Sequence, residues 1–163
     1  RRFDGREGVL KAHPFDVAAL YRHQIIWAGG ACCRKQIFDD VGGYCTDFRA
    51  CNEDYDFWLA VVGAGWRGQH VPLPLYRYRC HAGSWTSTAQ KQNDGEYRTR
   101  LRMLERHRAE FERHGAAGRF LADSHRVEAR RLASWGEAEA AKKLWAAVAA
   151  LEPWNLAARW RAR

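Results

Sequence analysis

The sequence lacks any apolar run long enough to cross a membrane. The longest run, residues 57–66, falls well short of the roughly 18 residues that a span needs. There is also no Gly-rich phosphate-binding loop, and no Ser–His or Cys–His arrangement of recognisable spacing. We expect no secretory signal peptide, because five of the first eight residues are charged.

Cysteine is scarce and irregularly spaced. The five are Cys32, Cys33, Cys45, Cys51 and Cys80. No Cys-x-x-Cys pair occurs, which argues against a structural zinc site. Scattered cysteines in a chain that can bury a core are usually small buried hydrophobic residues in a reducing compartment. We therefore expect a cytoplasmic protein, with the inner membrane face as a further location.

Acidic residues are outnumbered by basic ones, 19 to 27. The net charge is +8, and 22 of the 27 cations are arginines. Arginine matches phosphate oxygens, so nucleotides, anionic membranes and nucleic acids are all candidate partners. Nucleic acid ranks last, because the Arg-rich stretch 98–113 also carries Glu105, Glu110 and Glu112.

Hydrophobic spacing and glycine positions predict an α/β fold. Helices are expected over 15–21, 34–41 and 53–64, with Asn52 as an N-cap, and over 95–114. Strands are expected over 25–33, 66–71 and 75–81, which together would form a small mixed sheet. The Ala- and Arg-rich tail is expected to form a helical hairpin with a short third helix. We place the domain boundary between 1–115 and 116–163.

Two segments carry residues suited to chemistry. The first is the predicted helix start Glu53-Asp54-Tyr55-Asp56, followed by apolar residues typical of a buried helix. A carboxylate there either caps the helix or has a chemical task. In the second segment, Arg77, Arg79 and His81 would share one strand face. That face suits a diphosphate and a metal ion, or is simply solvated.

In order and spacing, residues 15–86 resemble the C-terminal half of family 2 glycosyltransferases, which have the GT-A fold. The matching pieces are Phe38-Asp39-Asp40-Val41-Gly42-Gly43-Tyr44, Glu53 to Leu59, Gly65-Trp66, and Val71 to His81 with Gly83-Ser84. The resemblance implies an inverting, nucleotide-sugar-dependent enzyme that moves a sugar to an acceptor hydroxyl. It further implies bacterial surface polysaccharide or glycoconjugate synthesis, with a glycan or lipid-linked glycan as acceptor.

The resemblance also implies roles for individual residues. Asp54, beside Glu53, would be the catalytic base. His81 would be a ligand of Mn²⁺ or Mg²⁺. The remaining positions would bind substrate: Arg77, Arg79, Trp58, Trp66, Gly42 and Gly43. A base must be ionised and within hydrogen-bond reach of the hydroxyl, which suits an aspartate at a helix start.

The family's donor-binding half, with a parallel sheet and an Asp-x-Asp metal motif, would precede the matched region. Only 14 residues precede it here, too few for such a half, and Asp54-Tyr55-Asp56 lies inside the Glu-Asp helix, so it is not that motif. We therefore expect an acceptor-side part that transfers no sugar alone. The alternative is a non-catalytic binding or scaffold module with a basic surface.

The tail resembles a tetratricopeptide hairpin. Gly136, Ala141, Trp145, Val148 and Pro153 fall at the small, large and proline positions of one repeat. An ordinary amphipathic hairpin is the alternative. A single repeat cannot bury its own apolar face, so we expect it to pack on the preceding chain, on a protein partner or on a second copy. Trp145 is expected to be buried.

Overall fold

The structure is a computed structural model that describes residues 14–48, 51–73, 75–76 and 95–162. The chain forms two compact units, residues 1–93 and 94–163. The sequence-based boundary lay at 115/116, after the Arg-rich helical stretch. In the structure this stretch groups with the tail, because the helix that begins at Gly95 packs against the first long helix of the tail.

The first unit contains helices α1 (Val17–Arg22), α2 (Lys35–Val41) and α3 (Glu53–Gly63), and two short 3-10 helices over Ala28–Gly30 and Thr46–Phe48. α3 packs against both α1 and α2. Tyr55 of α3 is buried and donates its hydroxyl hydrogen to the Leu20 carbonyl oxygen at 2.6 Å. Phe57 stacks on Phe38 of α2, with ring centroids 4.6 Å apart. α3 is therefore the central element of this unit, as its apolar sequence predicts.

The prediction of an α/β fold with a small mixed sheet is wrong. No strand occurs in the described parts of the chain. Within 25–33 the Gly30 amide instead donates to the Trp27 carbonyl at 2.9 Å, forming a 3-10 turn, and 66–71 is irregular. Residues 77–81 lie outside the described residues. A strand needs ladder hydrogen bonds to a neighbour, so apolar alternation alone does not form one.

Four helices end at a glycine with positive φ. Gly42, Gly65, Gly115 and Gly136 have φ of 77°, 87°, 60° and 84°. After each, the next amide reaches back five residues to a helical carbonyl, for example from Gly43 to Phe38 at 3.0 Å. Glycine adopts this left-handed conformation without a Cβ clash, so these helix ends follow from the sequence.

The second unit is helical throughout its described residues. Its helices are α4 (Gly95–Arg106), α5 (Arg108–Arg113), α6 (Ala117–Ser134), α7 (Ala138–Leu151) and α8 (Leu156–Arg161). The single helix expected over 95–114 is thus interrupted at His107. α6 packs against α4 and α7, and α7 packs against α8.

The core of the tail lies between α6, α7 and α8. Ala122 and Ala129 of α6 and Val148 of α7 are fully buried there, together with Ala158 of α8. Trp145 is 5% exposed, so its expected burial is confirmed. These alanines leave room for the indole, which explains how three Ala-rich helices bury a common face.

Candidate active site

The N-terminus of α3 presents three carboxylates in different environments. Glu53 is exposed, Asp54 is half-buried, and Asp56 is 1% exposed. Asn52 occupies the N-cap position in a left-handed conformation with φ of 64°, and its side chain makes no cap hydrogen bond. The expected helix start is therefore correct, but the Asn52 side chain does not cap it. Of these three carboxylates, only Asp54 is partly buried and partly exposed to solvent.

Asp54 is oriented by two N–H donors. The Gln24 side chain donates from Nε2 to Oδ2 of Asp54 at 2.7 Å. The Tyr55 backbone amide donates to Oδ1 at 2.9 Å. The same Gln24 nitrogen lies 3.2 Å from the Ile26 carbonyl oxygen, so the amide is itself fixed. The carboxylate thus has one defined orientation, and its partial exposure leaves room for a further hydroxyl.

Tyr44 is a second residue of this site that the sequence analysis did not single out. Gly42 and Gly43 both have positive φ, and the turn that they form places Tyr44 against Phe57, with ring centroids 5.0 Å apart. Burial raises the pKa of Tyr44, and the negative charge of Asp54 raises it further. Tyr44 therefore keeps its hydroxyl hydrogen and offers a donor beside the acidic helix start. The sequence does contain a signal for the position of Tyr44, since this residue directly follows the Gly-Gly pair that forms the turn.

The two tryptophans assigned to the acceptor site lie in different surroundings. Trp58 is 8% exposed and packs edge-on against Phe57. Its buried Nε1 has no hydrogen-bond partner within the described part of the chain. Trp66 is partly exposed, and its Nε1 donates to Oδ2 of Asp40 at 3.0 Å, which links the end of α3 to α2. Of the two, Trp66 has the ring surface that a sugar could contact. Their roles in acceptor binding stay predictions.

Arg77, Arg79 and His81 lie outside the described residues, as does Cys80. Within the described ranges no three His, Cys, Asp or Glu side chains are grouped as a metal site. The described residues therefore supply no ligand set for Mn²⁺ or Mg²⁺. The structure brings together Asp54, Glu53 and the Gly42–Tyr44 turn of the expected site.

Chemically, this arrangement suits proton abstraction. A carboxylate with a fixed orientation and an open side can accept a proton from a hydroxyl within hydrogen-bond distance. Both amide hydrogens of Gln24 are used, one on Asp54 and one on the Ile26 carbonyl oxygen. Tyr44 supplies a neutral hydroxyl hydrogen near the same carboxylate, which can help to orient a polyhydroxylated ligand.

No protein-family model, curated protein or solved structure matches the chain. In the part of the chain that the structure describes, no helix has both the length and the apolar character of a membrane span.

Proposed function

We propose that this chain is the acceptor-side part of an inverting, nucleotide-sugar-dependent glycosyltransferase of the family 2 type. One observation carries the proposal: Asp54, the residue that matches the family's base, is half-buried at a helix start and oriented by Gln24 and Tyr55. An aspartate that served only as a helix cap would need no partner thirty residues away.

In this proposal Asp54 takes the proton of the acceptor hydroxyl. The hydroxyl oxygen then forms a bond to the anomeric carbon while the bond from that carbon to the nucleoside diphosphate breaks, so the configuration inverts. Gln24 orients Asp54, and Tyr44 offers its hydroxyl to the acceptor. Arg77, Arg79 and His81 remain the proposed contacts to the diphosphate and its divalent ion, on the family resemblance alone.

The proposed setting is the cytoplasm, where nucleotide sugars are the donors and a glycan or lipid-linked glycan is the acceptor. The alternative is a binding module in which the acidic helix start has no catalytic role. The two proposals differ in a measurable way, because only catalysis requires an ionisable group at position 54.

The first experiment is Asp54→Asn in the enzyme that carries this chain together with its donor-binding part. The amide keeps the size of the side chain but cannot take a proton, so kcat should fall by a factor of about 100 or more while donor binding is retained. Asp39→Asn is the matched control, because Asp39 is exposed and only pairs with Lys35 on α2. Equal kcat values for the Asp54 variant and the parent would favour the binding module.

The second experiment uses the 163-residue chain itself. We expect weak binding of UDP-, GDP- and TDP-sugars in the presence of Mn²⁺, and no sugar transfer, because positioning of the donor supplies much of the rate. Calorimetry and a transfer assay measure both. Micromolar binding or turnover would contradict the assignment to the acceptor side, since the chain would then build its own donor site.

A further inference from the structure

The end of the tail carries an exposed apolar surface that the proposed catalysis does not use. Trp154, Leu156 and Trp160 are 76%, 72% and 75% exposed. Large apolar side chains this exposed and this close in sequence are unusual in a domain that has buried Trp145 nearby. We call Trp154, Leu156, Ala157 and Trp160 the tail patch.

The geometry of α8 separates the tail patch from the core. Ala158 belongs to the core cluster that α8 forms with α6 and α7, and it is completely buried. At 3.6 residues per turn, Leu156, Ala157 and Trp160 lie on the opposite side of the helix. Arg159 and Arg161 fall on the two flanks of this apolar stripe, and both are exposed. α8 therefore has two apolar faces: one is buried in the core, and the other is exposed to solvent.

Exposed charge near the tail patch is mainly positive, since the nearby Glu152 is paired with Arg126. Residues 153–163 contain three arginines and no acidic residue. An open groove of about 800 Å³ adjoins Trp160 and Arg161, and its other cations are Arg130 and Lys142. Among the described residues that line this groove, none is acidic. A partner that covers the tail patch must therefore carry negative charge around an apolar centre.

We propose that the tail patch docks on the surface of an anionic phospholipid bilayer. Tryptophan favours the boundary between headgroups and acyl chains, where an indole has both an apolar and a polar environment. Leu156 would enter the acyl region and Arg159 would reach outwards to lipid phosphates. Arg161, whose guanidinium lies over the Trp145 ring with 4.8 Å to its centroid, would add positive charge at the edge of the patch. Apolar insertion and cationic attraction together give the two contributions that stable peripheral binding needs. The proposal is independent of Asp54 and of catalysis.

The test is co-sedimentation of the 163-residue chain with vesicles of phosphatidylcholine alone or mixed with phosphatidylglycerol. We expect binding to the mixed vesicles that weakens with added salt. The double variant Trp154→Ser/Trp160→Ser should bind at least about tenfold more weakly, because it loses most of the inserted apolar area. Arg159→Gln should lower binding about fivefold on mixed vesicles. Brominated lipids should quench the parent's tryptophan fluorescence and quench the double variant less.

Trp27→Ser is the matched control, because Trp27 is 53% exposed and lies in the first unit. It should bind vesicles like the parent. Circular dichroism should give the same helix content for parent and variants, since the substituted side chains are largely outside the core. Vesicle binding by the double variant equal to that of the parent would overturn the proposal. Binding of the parent to an RNA oligonucleotide or to an acidic peptide, with none to anionic vesicles, would also overturn it.

Discussion

Gln24 donates a hydrogen bond to Asp54 at 2.7 Å, across thirty residues of the chain. Gln24 lies just after α1, and Asp54 lies in the first turn of α3. The contact depends on the packing of α1 against α3, which the hydrogen bond from Tyr55 to the Leu20 carbonyl oxygen fixes at 2.6 Å. The orientation of the candidate base is thus a tertiary property, although the base itself lies in a short sequence motif.

Gln24→Ala tests whether this contact positions the base. In the proposed enzyme that joins this chain to a donor-binding part, we expect kcat to fall by about tenfold to 100-fold with KM nearly unchanged, because the carboxylate loses its fixed orientation. Unfolding should change little, since an exposed hydrogen bond contributes about 1 kcal/mol. Steady-state kinetics and thermal unfolding measure the two effects.

Two further variants separate positioning from a general effect of substitution. Gln36→Ala alters an exposed glutamine on α2 and should leave kcat unchanged. Adding Gln24→Ala to Asp54→Asn should lower kcat no further than Asp54→Asn alone, because Gln24 acts through Asp54. Additive losses in the double variant would show that Gln24 has some other role.

A second prediction concerns the ion pair that joins α6 to the end of α7. Arg126 donates to Oε2 of Glu152 at 2.6 Å, and Asp123 also accepts from Arg126. Both side chains of the Arg126–Glu152 pair are largely buried. Glu152→Gln should therefore lower the free energy of unfolding by about 2 kcal/mol, because it removes a charge-assisted hydrogen bond. Glu139→Gln alters an exposed residue paired with Lys142. It should lower the free energy of unfolding by less than about 1 kcal/mol.

The same pair should respond to acid. Hydrogen bonding from Arg126 is the main reason that the pKa of Glu152 is lowered from its ordinary value of 4.5. A carboxyl with a lowered pKa in the folded state contributes stability above its unfolded pKa and loses that contribution as the pH falls further. Urea unfolding at a series of pH values below neutrality should show this loss in the parent. A Glu152→Gln variant with the same acid dependence would contradict the assignment.

A third prediction concerns His125. The Tyr97 hydroxyl oxygen lies 3.0 Å from Nδ1 of His125, and burial lowers the pKa of His125 below 6.5. Below about pH 6.5 the unfolded chain therefore takes up a proton that the folded chain does not. The free energy of unfolding should fall with decreasing pH in that window, by at most about 1.4 kcal/mol per pH unit.

His125→Asn should remove this part of the pH dependence, because asparagine keeps an acceptor for Tyr97 but does not titrate. Unfolding by urea between about pH 7.5 and about pH 5 measures the difference. His70→Asn is the control, as it alters a histidine in an irregular segment of the first unit. An identical pH profile in the His125 variant and the parent would contradict the prediction.

A fourth prediction compares two glycines with equally open surroundings. A Cβ on either Gly118 or Gly136 would meet no atom within 4 Å. Gly136 has φ of 84°, whereas Gly118 lies inside α6. Gly136→Ala should lower the free energy of unfolding by about 1–2 kcal/mol through backbone strain, and Gly118→Ala should raise it by about 0.5–1 kcal/mol. Thermal unfolding of the two variants should shift in opposite directions, and shifts of the same sign would refute the argument.

The sequence alone determined where most helices begin and end. Gly42, Gly65, Gly115 and Gly136 stop helices because each can adopt a left-handed conformation that other residues adopt only with strain. Gly118, only three residues after Gly115, lies inside α6, because a glycine ends a helix only where the chain turns. The position of Asp54 at a helix start and the burial of Trp145 follow from equally local patterns.

Tertiary structure decided what local pattern could not. The apolar stretches 25–33 and 66–71 have strand-like composition, yet they form no strand, because a strand requires a neighbour to complete its hydrogen bonds. Gln24 has no sequence signal, because its partner Asp54 is reached only after α1 packs on α3. Tyr44 follows a recognisable turn, but its nearness to Asp54 depends on the packing of α2 against α3. Contacts between distant residues arise from packing, and a linear pattern does not record them.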